Sequence, residues 1–356
     1  MSSNIPTTQR AWRALKRGKP SEALAFQSDV PVPTKLKPGE VLIQIEAAAL
    51  NPVGHKLMGL LPNFMAGRPL TPENDLAGVI VDANGTEFTN GDEVFGIVPL
   101  EVQPKIRQGA LAQYVRLPAS CVIVRPPNIT PIEACGIAMA GETALQALVG
   151  VGKLEAGQTV FINGGSSSVG IFAIYVAKAI GAKVVASASG KNEEFVLGHG
   201  ADEFVDYTKA PLHKYLTDNP PSPKFDLIFD AAGLVDPSLY KHSEAYLASG
   251  GTFISSGPTP TFSAWGGPSG MGNMLSTVKE IAQPCWLGGT ARKWKLVTMT
   301  HSPKDLSTLR DLIVQGKLKP AVDSVYEFED ALSAYERILT GRARGKVVVR
   351  VKEGVN

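Results

Sequence analysis

The stretch that most limits what this chain can fold into runs from Gly157 to Gly190, GQTVFINGGSSSVGIFAIYVAKAIGAKVVASASG. Thr159 to Asn163 is a short apolar run of strand type. A cluster of Gly and Ser then turns the chain into an apolar segment rich in Ala, Ile and Val. Gly181 closes that helix, and AKVVASAS reads as a second, parallel strand. A helix opening on such a turn aims unpaired backbone N–H groups and the positive end of its dipole at whatever lies before it.

A diphosphate fits that place, and the unit has the β-α-β length of a dinucleotide fingerprint. A strict G-x-G-x-x-G puts glycines at 165, 167 and 170; here the middle position is Ser167. Gly165 lets the backbone approach the diphosphate, and the small Ser167 still permits contact while offering a hydroxyl. A chain preferring NAD carries an acid about 20 residues past the turn, for the ribose 2′-OH. This one has Ser189, Gly190, Lys191 and Asn192, with no carboxylate before Glu193. A hydroxyl and a cation suit a 2′-phosphate, so the expected cofactor is NADPH.

At 356 residues the chain exceeds what one core usually supports, so two domains are expected. A net charge of +2 with scattered basic residues argues against a nucleic-acid partner. No segment has the apolar length of a membrane span. The start, MSSNIPTTQR, lacks the hydrophobic core of a secretory signal. Cys121, Cys135 and Cys285 lie far apart and form no disulfide framework, so a cytoplasmic location is expected.

The N-terminal part reads as short strands with turns: Ala11 to Leu15, Val41 to Leu50, Leu76 to Val81, Glu93 to Val98, Leu111 to Leu117 and Cys121 to Arg125. Pro126-Pro127 breaks this pattern, and the domain boundary is placed there. Strand and helix alternate from Gly157 to about Ser256, with helices expected at Asn192 to His199 and Pro237 to Tyr246. Pro258 to Lys295 is a less regular stretch holding Trp265, Trp286 and Trp294, with Met271 and Met274. Helices at Asp305 to Gln315 and Asp330 to Thr340 and the strand KVVVRV follow. These late strands need a host sheet, so the tail is expected to rejoin the first domain. The division expected is 1–127 with 300–356, and 128–299.

Over nearly its full length the chain resembles the zinc-independent branch of the medium-chain dehydrogenase/reductase superfamily, the quinone oxidoreductase and enoyl reductase group. NPVGHKLMG from Asn51 is similar to that group's NPVDxKxxxG, and DLAGVI from Asp75 to its DxAGVV. GDEVFG from Gly91, GALAQYV from Gly109, AGETALQAL from Ala140 and GRARGKVVV from Gly341 follow in family order. Gly54 departs from the pattern, standing where an Asp is usual. The resemblance implies an α/β protein: a GroES-like β-barrel domain plus a Rossmann domain with a doubly wound parallel sheet, commonly dimeric. It implies that Ser166, Ser168 and Val169 meet the diphosphate and that Ser189, Lys191 and Tyr207 surround the 2′-phosphate. Thr143 would lie near the nicotinamide, and Gly257 and Lys346 near the cofactor's edge.

Zinc dehydrogenases need about three Cys, His or carboxylate ligands. His55 has no Cys in the matching stretches, so no metal is expected. Hydride delivery to an electron-poor carbon then suits the chain better than alcohol oxidation. Asn51 can donate to a carbonyl or to ribose, and Lys56 can stabilise negative charge or relay a proton. The expected substrate is a small α,β-unsaturated carbonyl, an enone, enal or enoyl thioester. A quinone is the alternative acceptor. Further alternatives are a stand-alone enoyl reductase facing a polyketide synthase carrier protein, and a relative that binds nucleotide without turnover.

Overall fold

The computed structural model describes residues 5–234, 236–257, 278–283 and 285–355. In chain order the strands begin with β1 (Thr8–Ala14), β2 (Leu24–Pro31), β3 (Glu40–Ala49), β4 (Asp75–Asp82), β5 (Glu93–Ile97), β6 (Tyr114–Pro118) and β7 (Val122–Val124). They continue with β8 (Thr159–Asn163), β9 (Lys183–Ala188), β10 (Glu203–Asp206), β11 (Phe225–Asp230), β12 (Leu247–Ser255), β13 (Lys293–Leu296), β14 (Val322–Glu327) and β15 (Lys346–Arg350). The longer helices are α1 (Pro52–Leu60), α2 (Ala138–Leu145), α3 (Ser168–Ile180), α4 (Pro303–Val314) and α5 (Ala331–Leu339).

The chain divides into two compact units, Met1–Glu142 with Thr300–Asn356, and Thr143–Met299. In the first, the described strands run β14-β15-β3-β4-β5-β7, with β6 also on β3. β3 pairs with β4 along one edge and with β6 and β15 along the other, which leaves its EVLIQIEAAA sequence almost wholly buried. That continuous burial is why β3 reads as an apolar run rather than an alternating one. β15 lies antiparallel to β3, so the C-terminal strands complete the sheet that the N-terminal strands began. Ala331, Ala334 and Tyr335 are spaced to put one face of α5 into the same core as Val347 and Val349.

The second unit is a parallel sheet in the order β10-β9-β8-β11-β12-β13. The chain winds outward from β8 in one direction and resumes at β11 in the other, so the order reverses between β8 and β11. Open sheets of this kind bind ligands at the carboxyl ends of the strands beside that reversal. Both architectures expected from the sequence are thus present: a GroES-like sheet and a doubly wound parallel sheet.

Three details differ from the sequence reading. Thr130 caps a short helix, Pro131–Ala134, which lies with the first unit, and the units divide at Glu142 rather than at Pro127. The helix expected over Pro237 to Tyr246 shrinks to single turns at Ser238–Lys241 and Ser243–Ala245. There the fully buried Tyr246 donates its hydroxyl to the Leu239 carbonyl, folding the chain back before β12. β2, which the sequence reading passed over, pairs antiparallel with β1. Residues 258–277, where Trp265, Met271 and Met274 stand, lie outside the described residues. Among the described residues no helix is long and apolar enough to cross a membrane.

Candidate active site

The nucleotide turn is built at the end of β8. The N–H groups of Gly164 and Gly165 both donate to the Ser187 carbonyl, at 3.1 and 2.8 Å, which ties the turn to β9. Gly164 has φ of +84°, a conformation open to glycine. Ser167, at the position where a strict fingerprint has glycine, is the N-cap of α3. Its Oγ accepts from the Gly170 N–H at 3.1 Å and donates to the Gly164 carbonyl at 2.7 Å. A Cβ at Gly170 would lie 2.2 Å from the Gly164 carbonyl oxygen, and one at Gly165 would lie 2.9 Å from Ala186 Cβ. The outer glycines are therefore required by packing, while the middle position caps the helix. The cradle fits a diphosphate, with Ser168 and Val169 in the first turn of α3.

Behind the turn, Asn163 donates to Asp230 at 2.8 Å and accepts from the Ser187 hydroxyl at 2.8 Å. Asp230 also accepts from the Gly233 and Leu234 N–H groups. Burial nonetheless pushes its carboxyl above the ordinary range. Gly257 follows β12, its N–H on Ser255 Oγ at 3.2 Å. Asn192 joins two of the expected contact residues, donating to Ser166 Oγ at 3.2 Å and to Ser189 Oγ at 3.1 Å. Its own Oδ1 is buried without a partner. Lys191 is exposed and Tyr207 half-exposed beside the end of β9, whereas Thr143 is buried on α2. A carboxylate missed by the linear reading, Asp206 at the end of β10, also reaches this corner and accepts from Thr208 and from the Gly190 N–H.

The first unit holds a buried polar cluster around Asn51, the residue that precedes α1. Asn51 Nδ2 donates to Asp75 Oδ2 at 3.0 Å. Lys346 Nζ donates to Asn51 Oδ1 at 2.7 Å and to Asp75 Oδ2 at 2.9 Å, and the Met139 N–H reaches Asp75 Oδ1 at 2.9 Å. Lys346, expected near the cofactor's edge, is 4% exposed and its ammonium is committed to this internal pair. The Asn51 N–H donates to Glu73 Oε2 at 2.9 Å, and Tyr335 OH donates to Glu73 Oε1 at 2.7 Å. Lys346 pairs directly with Asp75, and burial of Glu73 pushes its carboxyl up to about 7 despite its two donors.

His55 and Lys56 lie on α1. His55 is buried with Nδ1 unpartnered; burial, then the neighbouring Lys56 charge, bring it down to about 4, so its ring is neutral. Burial lowers Lys56 to about 8. An apolar pocket of about 100 Å³ in the same unit takes the other face of α1, lined by Leu57, Met58, Leu61, Leu70 and Leu100, with Gly54 and Glu73 in its wall; His55 and Lys56 are not among its lining residues. Asn51 and Lys56 were legible from NPVGHK; Glu73, Asp75 and Tyr335 were not assigned roles, although DLAGVI was visible around Asp75.

A doubly wound sheet with a glycine- and serine-lined turn, carried in one chain with a GroES-like sheet, defines a class of nicotinamide-dependent oxidoreductases. Residues 37–127 match the family described as "Alcohol dehydrogenase GroES-like domain", and residues 199–349 the one described as "Zinc-binding dehydrogenase". The chain is 32% identical over 371 residues to "Trans-enoyl reductase pgmF" of Aspergillus terreus, covering 99% of each. It is 33% identical over 378 residues to "Medium chain reductase pydE" of Acremonium sp, covering 98% of this chain and 100% of the other. In fold it is similar to the quinone oxidoreductase from Coxiella burnetii, with a TM-score of 0.77 at 24% identity over 97% of this chain and 100% of that one. The chain belongs to the medium-chain dehydrogenase/reductase family, and it is an oxidoreductase.

The second family description names zinc. Among the described residues no group of three or more His, Cys, Asp or Glu is placed to hold a metal ion. Cys121 and Cys135 are both buried, and burial pushes the Cys121 thiol up to about 12 and that of Cys135 still higher.

Proposed function

We propose that this chain is an NADPH-dependent, zinc-free reductase of the activated C=C bond of α,β-unsaturated carbonyl compounds. When bound, NADPH would supply a hydride to the β-carbon of the substrate. The protein's part is to hold the cofactor, stabilise the enolate oxygen and manage the proton that the α-carbon takes up.

The observation that carries this reading is the glycine-lined turn between β8 and α3, open to a diphosphate, in a chain 32% identical to a trans-enoyl reductase. Lys56, an amine that burial lowers to about 8, lies on the helix that Asn51 precedes. An ammonium at that value is protonated at neutral pH yet close enough to its pKa to release a proton. In this reading Lys56 stabilises the developing negative charge and serves as the proton source, and Asn51 holds the start of α1 in place. Gly165, Ser166, Ser168 and Val169 hold the diphosphate. Ser189, Lys191, Asn192 and Tyr207 form the 2′-phosphate corner. Asp206 brings an ionised carboxylate to this corner, held below its ordinary range by Thr208 and the Gly190 N–H, and Lys191 is the cation that offsets it.

The name of the Aspergillus relative supports an enoyl substrate. The test is NADPH consumption with an enal, an enoyl thioester and a quinone, each in wild type and in Lys56→Met. Turnover of the enal or thioester, lost in Lys56→Met, is the expected result. Turnover of the quinone alone would move the acceptor, and NADPH binding without consumption by any of the three would refute catalysis.

A further inference from the structure

The departure at Gly54 is explained by the residue that faces it. Glu73 is 1% exposed, yet its backbone stands at φ of +65°, a strained region that non-glycine residues seldom enter. The surroundings hold it there: its carbonyl accepts from Gln103 Nε2 at 2.9 Å and from the Ala110 N–H at 3.0 Å. The side chain so placed runs against Gly54. A Cβ built on Gly54 would lie 2.2 Å from Glu73 Oε1 and 2.8 Å from its Cδ. A strained, buried acid therefore fills the space that only a missing side chain leaves open.

That acid does what a capping group does for α1. Asn51 precedes α1, and its side chain makes no capping bond to the helix because it is turned to Asp75 and Lys346. Glu73 instead takes the Asn51 N–H, while Tyr335 from α5 fixes the other carboxylate oxygen. The groups facing it are Tyr335 on α5, Lys346 on β15, Asp75 on β4 and the entry of α1 at Asn51 and Gly54.

We propose that Glu73 is a positioning residue for turnover: from the loop before β4 it supplies the carboxylate that the family pattern places at residue 54, and so orients the start of α1 with Asn51 and Lys56. The inference rests on the reductase reading for its effect on catalysis, while the exchange between positions 54 and 73 stands on packing alone.

Four variants test it: Glu73→Gln, Glu73→Gly, Gly54→Asp and the double variant Glu73→Gly with Gly54→Asp. The readouts are Tm at pH 8, KM for NADPH, and kcat against pH with trans-2-hexenal as substrate. A raised carboxyl favours the folded state only while protonated; that contribution is lost as pH rises from its unfolded value through about 7. Glu73→Gln should therefore be at least as stable as wild type at pH 8. Its KM for NADPH should be unchanged, while kcat falls roughly ten- to hundredfold through misplacement of the reacting groups. The wild-type fall in kcat as pH drops through about 7 should vanish in Glu73→Gln. Gly54→Asp alone should be destabilised, and the double variant should recover both Tm and kcat relative to the single changes. A Glu73→Gln enzyme with wild-type kcat and pH profile overturns the positioning role, and Tm losses that simply add in the double variant overturn the exchange. Should wild type itself turn over no acceptor, the reductase reading fails, and the Tm comparison still decides the exchange.

Discussion

At the scale of single residues, burial moves the values of three groups around the start of α1: His55, Lys56 and Glu73. Lys56 at about 8 is protonated below that pH and neutral above it, so kcat should fall as pH rises through about 8. A rate profile flat to pH 10 would contradict its role as proton source. Lys346 was expected at the cofactor's edge, and its ammonium is buried against Asp75 and Asn51. Removing one partner of a buried pair leaves the other charge uncompensated, so Lys346→Met should cost about 3–5 kcal/mol in denaturant unfolding. A loss below 1 kcal/mol, with NADPH binding weakened, would instead favour the role at the cofactor's edge. Lys191→Ala should weaken NADPH by about ten- to hundredfold, the worth of a charge-assisted hydrogen bond, and leave NADH nearly unchanged in fluorescence titration. Equal losses would refute the 2′-phosphate assignment. The sequence displayed Asn51, Lys56 and Lys191 because short motifs surround them. It hid Glu73 and Tyr335 because their contact spans 262 residues and neither sits in a motif that names its partner.

At the scale of elements, the strand-turn-helix at β8 and α3 was legible nearly residue by residue, since Gly164 to Gly181 carries its own turn, cap and stop signals. The substitution of Ser for the middle glycine looked like a weakening of the fingerprint. In the fold Ser167 caps α3, so Ser167→Ala should cost about 1 kcal/mol of stability. Gly170→Ala should cost more than Ser167→Ala, because its Cβ would meet the Gly164 carbonyl. Thermal melts showing the opposite order would mean that the turn relaxes freely. At α1, Asn51-Pro52 carries the usual signal of a cap followed by proline at the first helical position, although the Asn51 side chain makes no capping bond. β2 is faint in the sequence because half of LAFQSDVP is solvent-facing, and its pairing with β1 supplies what the pattern lacks.

At the scale of the whole molecule, the order of the motifs predicted two architectures, while the point of division depended on packing that no local signal shows. The chain leaves the first unit at Glu142 and returns to it at Thr300. Within that unit the two ends are tied together: His301 lies 3.0 Å from Glu142 and 2.9 Å from the Ser120 carbonyl, and the Ser302 N–H reaches Glu142 at 3.2 Å. Burial lowers His301, but the hydrogen bonds to Glu142 and Ser120 outweigh it and hold the imidazole above its ordinary value. The stabilisation is therefore complete below about 6.5 and is lost as pH rises through the raised folded value. Melting curves of His301→Gln should lack that alkaline decline, and an unchanged slope would show that the tie contributes nothing. The central claim is hydride delivery to an activated alkene, and isotope transfer tests it most directly. With NADPH carrying deuterium on the reactive face of C4 and an enal in ordinary water, NMR of the product should show one deuterium at the β-carbon and a solvent proton at the α-carbon. Deuterium on the carbonyl carbon, or none in the product, would contradict it.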